Sequence, residues 1–192
     1  MRSPCSIGSS RRSPARESVK RVAVIGSGGA GKSLFARELG ERTALPVIHL
    51  DRLFWKPQWV PMADEAWRTV HGELLRADHW IIDGNYGGEM EPRLAAADTV
   101  VFMDLPRLVC VLGALQRHWR HRRGGRPDMV PGQRERLDLK FLWWIFRYPD
   151  TRRPGVLARL AKLPATTQVI RVRSRRGARE ILDRLAPAGG AG

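Results

Sequence analysis

The sequence predicts an α/β fold of three layers, a five-stranded parallel sheet covered by helices on both faces. Three observations predict it. Short apolar runs alternate with stretches of helical period from residue 21 to residue 185, the order expected of parallel strands joined by helical crossovers. A glycine-rich segment at residues 26–33 directly follows the first apolar run and directly precedes the first helical one. Three of the apolar runs lead into a carboxylate, at Asp51, Asp83 and Asp104, and the carboxyl ends of the strands are where an open parallel sheet gathers its ligand-facing groups.

The first strand is expected at residues 21–25, followed by the glycine segment and a helix with Leu34, Phe35 and Leu39 on one face. A second strand at 46–50 ends at Asp51, and Asp64 is placed to cap a helix whose apolar face is Trp67, Val70 and Leu74. A third strand at 79–82 ends at Asp83 and a fourth at 99–103 ends at Asp104. Pro106 can open a long helix with Leu108, Leu112, Leu115 and Trp119 at helical spacing. It runs into an arginine-rich segment containing Gly124 and Gly125, expected to be a mobile loop. An aromatic helix at 137–148, a short helix at 156–163, a fifth strand at 168–172 and a closing helix with Ala178, Ile181, Leu182 and Leu185 complete the order.

Composition supports one domain over residues 19–185. An apolar fraction of 43% and seven Trp supply a core and exclude global disorder. Residues 1–18, rich in Ser, Arg and Pro, read as a disordered basic extension, with Val19 as an alternative start and an organelle leader as the competing account. Residues 186–192 read as a C-terminal tail. No stretch approaches the about 20 apolar residues that span a bilayer, so no membrane association is expected. Cys5 and Cys110 match neither a disulfide framework nor a zinc spacing, which fits a reducing, cytoplasmic setting. The formal charge of +15 at pH 7 favours anionic partners such as nucleotides or nucleic acid. A general coding bias toward Arg would explain surface arginines equally well.

Gly26, Ser27, Gly28, Gly29, Ala30, Gly31, Lys32 and Ser33 satisfy the Walker A pattern at every required position, between a strand and a helix. Glycines let the backbone curl so that successive N–H groups face a phosphate, with a helix N-terminus behind them. Lys32 is expected to reach the β and γ phosphates of ATP, and Ser33 to offer its hydroxyl to Mg²⁺. Asp83 has the form of a Walker B carboxylate holding Mg²⁺. Asp104 has the same form; Asp83 is preferred because its strand is expected to neighbour the first. Asp51, followed by Phe54, Trp55 and Trp59, suits an acceptor site in which the carboxylate orients or deprotonates a hydroxyl and the tryptophans flank a base or sugar. The alternative is an Asp capping a turn above core tryptophans.

Arg117, Arg120, Arg122, Arg123 and Arg126, with Arg152 and Arg153 further on, could form a closing lid that stabilises charge on a moving phosphoryl group. Arg117 and Arg120 are the two expected to face the cleft together, on the side opposite Leu115 and Trp119. A solvated basic face is the plainer account of any one of them. Phe141, Trp144, Ile145 and Tyr148 suit a core face, and Trp143 with Phe146 leaves the same helix apolar nearly all round. Its second face needs cover from the lid, a second subunit or stacked bases, and oligomeric state stays open.

These residues resemble the bacterial DNA topology modulation proteins, an adenylate-kinase-like P-loop family. The likeness rests on residues 24–33, on His49-Leu50-Asp51 with Phe54-Trp55-Lys56-Pro57, on Trp80-Ile81-Ile82-Asp83-Gly84-Asn85-Tyr86, and on Arg126-Pro127-Asp128-Met129. It implies a nucleotide-kinase-like fold with ATP in the phosphate loop, an acceptor site near Asp51 and an arginine-rich lid. Asn85-Tyr86 departs from the Phe-Pro-Arg continuation of adenylate kinases, which removes an arginine expected to hold a nucleoside monophosphate. The expected function is ATP-dependent phosphotransfer to a small-molecule acceptor, with an ATP-switched nucleic-acid-binding regulator as the alternative.

Overall fold

The structure is a computed structural model that describes residues 19–121 and 138–186. The extension 1–18, the segment with Arg122, Arg123, Gly124, Gly125 and Arg126-Pro127-Asp128-Met129, and the tail from residue 187 lie outside the described residues. In chain order the elements are β1 (Arg21–Gly26), α1 (Lys32–Thr43), β2 (Val47–His49), α2 (Leu50–Phe54), β3 (Trp55–Lys56), β4 (Val60–Pro61), α3 (Asp64–Leu74) and β5 (Trp80–Asp83). They continue with α4 (Met90–Ala96), β6 (Thr99–Met103), α5 (Arg107–His121), α6 (Leu139–Thr151), α7 (Arg153–Leu160), β7 (Gln168–Val172) and α8 (Arg175–Leu185).

Five strands form one parallel sheet in the order β2-β5-β1-β6-β7, so β1 lies at its centre. The alternation of side chains along each strand divides the core in two. Val22, Val24, Ile81, Val101 and Met103 pack with Leu39, Ala114, Ile145 and Leu182 from α1, α5, α6 and α8. Ala23, Ile25, Trp80, Ile82, Val100 and Phe102 pack on the other face with Trp67, Leu94 and Val156 from α3, α4 and α7. A central strand covered on both sides must be apolar throughout, and that is why β1 reads as a continuous apolar run.

The expected five-stranded α/β fold is therefore found, with local differences. Leu50 leaves β2 and opens α2, carrying a fully buried side chain into the second core. α3 begins at Asp64 behind Ala63, and Asp64 makes no capping hydrogen bond. Neither the β3–β4 hairpin nor α4 was expected, because elements of two and seven residues are too short to display a period.

The largest difference is the direction of α5. Leu108, Leu112 and Trp119, apolar residues that recur at helical spacing, are 64%, 56% and 63% exposed. The inward face is instead Cys110 and Ala114, with Gly113 between them. A Cβ on Gly113 would strike the carbonyl oxygen of Gly29. Close approach to the phosphate loop thus requires small residues there and turns the large ones outward. No helix among the described residues is long and apolar enough to cross a membrane.

Candidate active site

The phosphate loop joins β1 to α1 at the centre of the sheet. Its conformation is left-handed at Gly29 (φ +71°) and at Gly31 (φ +91°), the residue before α1, where residues bearing a Cβ are disfavoured. A Cβ on Gly29 would also collide with the carbonyl oxygen of Cys110, and one on Gly28 would lie 2.9 Å from Cζ of Phe141. α5 and α6 therefore hold the loop from outside. No side chain caps α1, so the first N–H groups of the helix remain for a ligand.

Lys32 opens α1 and donates from Nζ to the Ser27 carbonyl at 2.9 Å, folding back over its own loop. Burial lowers the pKa of its ammonium, and the Asp83 and Asp51 carboxylates oppose that shift. Asp83 ends β5 in register with Val24 of β1 and is 5% exposed. Its Oδ2 lies 3.0 Å from His49 Nδ1, while its buried Oδ1 has no hydrogen-bond partner among the described residues. A buried carboxylate oxygen without a donor is costly unless a ligand completes it. With the Ser33 hydroxyl at the start of α1, this oxygen gives an all-oxygen donor set that fits Mg²⁺.

Asp104 differs in a way strand adjacency did not reveal, since β6 neighbours β1 as directly as β5 does. Arg153 Nε donates to Asp104 Oδ1 at 2.9 Å and Arg171 Nε to its Oδ2 at 2.6 Å. Both oxygens of Asp104 are thus already engaged.

Asp51, in the first turn of α2, accepts a 2.7 Å hydrogen bond at Oδ1 from the Tyr86 hydroxyl. Burial, followed by the Asp51 carboxylate, raises the pKa of this hydroxyl above its ordinary range and keeps it a donor. Phe54 and Trp67 surround the Tyr86 ring at centroid distances of 4.7 and 5.0 Å. Trp55 and Trp59 meet edge to face at 5.6 Å across the hairpin, and Gln58 and Trp59 both have positive φ. Such backbone strain needs support from its surroundings.

A buried polar network joins this aromatic side to the phosphate loop. Asn85 accepts the Gly26 N–H at 3.0 Å through Oδ1 and donates Nδ2 to the Gly26 carbonyl at 2.7 Å. Behind it, Arg93 is fully buried and donates Nη2 to the carbonyls of Gly84 and Asn85 at 2.9 and 2.6 Å. Its Nη1 lies 3.1 Å from His71 Nε2. Burial and the facing Arg93 lower the His71 pKa to about 4, so His71 is neutral at pH 7 and accepts that bond. Burial also brings Arg93 down to about 10, and it stays charged at pH 7.

On the other side of the phosphate loop a cavity of about 480 Å³ is lined by Lys32 and Ser33 together with Arg117 and Arg120 of α5. Arg117 and Arg120, expected to face one cleft, both line this cavity. Arg175 and Arg179 of α8 line it as well. No sequence pattern points to that, because the legible feature of α8 is its apolar stripe alone. His71 and Arg93 belong to no spaced motif and meet only through the fold, and the contact of His49 with Asp83 is likewise made only there.

Several solved structures share this architecture. Shikimate kinase from Acinetobacter baumannii, in complex with shikimate, superposes with a TM-score of 0.54 at 15% identity, over 89% of this chain and 93% of that one. Shikimate kinase from Bacteroides thetaiotaomicron gives 0.52 at 16% identity, over 87% and 96%. Deoxyadenosine kinase from M. mycoides, with bound dATP, gives 0.51 at 12% identity, over 86% and 98%. The fold is that of the small P-loop kinases. No protein-family model matches the sequence, and no curated protein matches it significantly.

Within this P-loop kinase fold, the carboxyl ends of β1, β2 and β5 bring the phosphate loop, His49 and Asp83 together. Asp51 follows two residues after His49, in the first turn of α2. Two carboxylates and one lysine therefore sit at the junction of a cationic cavity and an aromatic wall.

Proposed function

We propose that the protein is a phosphotransferase that moves the γ-phosphate of a Mg²⁺-nucleoside triphosphate, ATP being the reference donor, to a hydroxyl of a small acceptor. The observation that carries this reading is the buried, unpartnered Oδ1 of Asp83 beside Lys32. In this reading the backbone N–H groups of residues 26–33 bind the phosphates and Lys32 leaves Ser27 to neutralise them. Ser33 and Asp83 would hold Mg²⁺, which when bound neutralises phosphate charge. Asp51, its Oδ1 fixed by Tyr86, orients the acceptor hydroxyl through Oδ2 and takes its proton. Arg117 and Arg120 stabilise charge as the phosphoryl group moves.

A cytoplasmic setting and a single domain over residues 19–185 complete the proposal. Membership of the DNA topology modulation proteins rests on the motifs at residues 24–33, 49–57 and 80–86. The test is transfer of labelled γ-phosphate to nucleosides, nucleoside monophosphates and hydroxylated metabolites. Transfer to one acceptor class that disappears in Lys32→Ala supports a kinase; nucleotide binding without transfer to any acceptor counts against it.

One observation favours a second reading, a nucleic-acid-binding regulator switched by ATP. Trp119 and Trp143 are exposed, Trp143 stacks on Phe146 at 5.7 Å, and Arg147 lies over the Trp143 ring. Exposed aromatics beside arginines suit single-stranded nucleic acid. That reading predicts binding that weakens steeply with salt and survives Lys32→Ala.

A further inference from the structure

The cavity beside the phosphate loop has a wall that mostly donates hydrogen bonds. Arg37 lines it from α1, Arg117 and Arg120 from α5, and Arg175 and Arg179 from α8. Arg175 spans the gap: its Nη2 lies 3.3 Å from Gln116 Oε1, and a Cβ on Gly113 would come within 3.5 Å of it. That contact uses the Gln116 amide oxygen and leaves its N–H₂, another donor. Among the lining side chains one carboxylate is present, Glu38 of α1. Glu38 is half-buried, and no hydrogen bond or ion pair engages it among the described residues.

This pattern bears on which base the cavity takes. Guanidinium planes stack on any base, so stacking does not discriminate. The edges do. Adenine presents an N6 amino donor beside N7 and so meets a surplus of donors with a donor. Guanine presents O6 and N7 as adjacent acceptors, which a guanidinium fork matches in a bidentate contact. Its opposite edge presents N1–H and N2–H₂ as adjacent donors, which suit a single carboxylate accepting through both oxygens.

Resting on the assignment of a nucleoside triphosphate to the phosphate loop, we propose that this cavity seats the base of the donor and prefers guanine, making GTP the favoured nucleotide. Arg175 and Arg179 of α8 then read the acceptor edge and Glu38 the donor edge.

Equilibrium titration of the full chain in Mg²⁺, followed by calorimetry, separates the possibilities with four probes: GTP, inosine triphosphate, ATP and inorganic triphosphate. The expected result is GTP bound about tenfold more tightly than ATP, within the range of one bidentate guanidinium contact. Inosine triphosphate, which lacks N2–H₂, falls between them. Glu38→Gln is expected to bring GTP down toward ATP while the affinity for inorganic triphosphate stays as it was, which also shows that the variant is folded. If inorganic triphosphate binds but ATP matches or exceeds GTP, the guanine preference is overturned and the phosphate loop stands. If none of the four probes binds, the phosphate-loop assignment fails and the base preference fails with it.

Discussion

The two faces of the sheet solve the same problem by different means. On the face of α1, α5, α6 and α8, the phosphate loop is shaped by backbone: left-handed Gly29 is pressed by the Cys110 carbonyl, and Gly28 by the Phe141 ring. On the face of α3, α4 and α7, the Asp51 carboxylate is held by side chains. Tyr86 holds Asp51, Asn85 grips Gly26, and Arg93 with His71 supports the turn between β5 and α4. A backbone-built site depends on a few contiguous glycines. A side-chain network depends on its buried partners staying matched, because stranding one costs its desolvation penalty, and here only Nε of the Arg93 guanidinium nitrogens lacks a partner among the described residues.

This difference is open to direct attack. Arg93→Met is expected to have the largest effect on stability, a loss of about 3–5 kcal/mol, since it strands two buried carbonyls and the His71 ring nitrogen. Denaturant melts measure it, and a loss under 1 kcal/mol would show that the network is not what holds the turn.

Lys32→Ala sharpens the contrast from the other face. Turnover is expected to fall at least about 10²-fold, the scale of losing one charge-stabilising donor, with little change in melting, because the side chain bonds only the exchangeable Ser27 carbonyl. A large drop in stability instead would place Lys32 among the structural groups.

His71 predicts a pH dependence confined to the second face. Its folded pKa of about 4 lies below the ordinary 6.5, so the unfolded chain binds the proton first as pH falls. Its contribution is fully present above pH 6.5 and is lost down to about pH 4, an amount of about 3 kcal/mol. His71→Gln is expected to flatten that part of the stability–pH curve, and an unchanged slope would assign the titration to other groups.

The smallest effect expected is that of Tyr86→Phe, about 1 kcal/mol of stability for one hydrogen bond. Its consequence for rate is the more telling: kcat is expected to fall while the affinity for inorganic triphosphate stays constant. A parallel loss of triphosphate affinity would mean that the two faces are not separable.

Much of the first face was legible in the sequence, for a physical reason. A phosphate loop needs its strand, glycines, lysine and hydroxyl in one unbroken order, so residues 26–33 carry the whole pattern locally. β1 and β6 were readable because strands buried on both faces are apolar along their length. The orientation of α5 was not, because periodicity gives the stripe but not the side that must approach Gly29. Nor was the choice between Asp83 and Asp104, which turns on Arg153 and Arg171, 49 and 67 residues away from Asp104. The sequence by itself determined the fold class, the phosphate loop and the strand-end carboxylates Asp83 and Asp104, all of which are local patterns, whereas Asp51, expected at a strand end, lies in α2. Only the tertiary structure decided which carboxylate is left with an open oxygen, which helices clamp the loop, and that Arg175 and Arg179 join Arg117 and Arg120, because those facts depend on contacts between segments whose separation along the chain leaves no periodic signal.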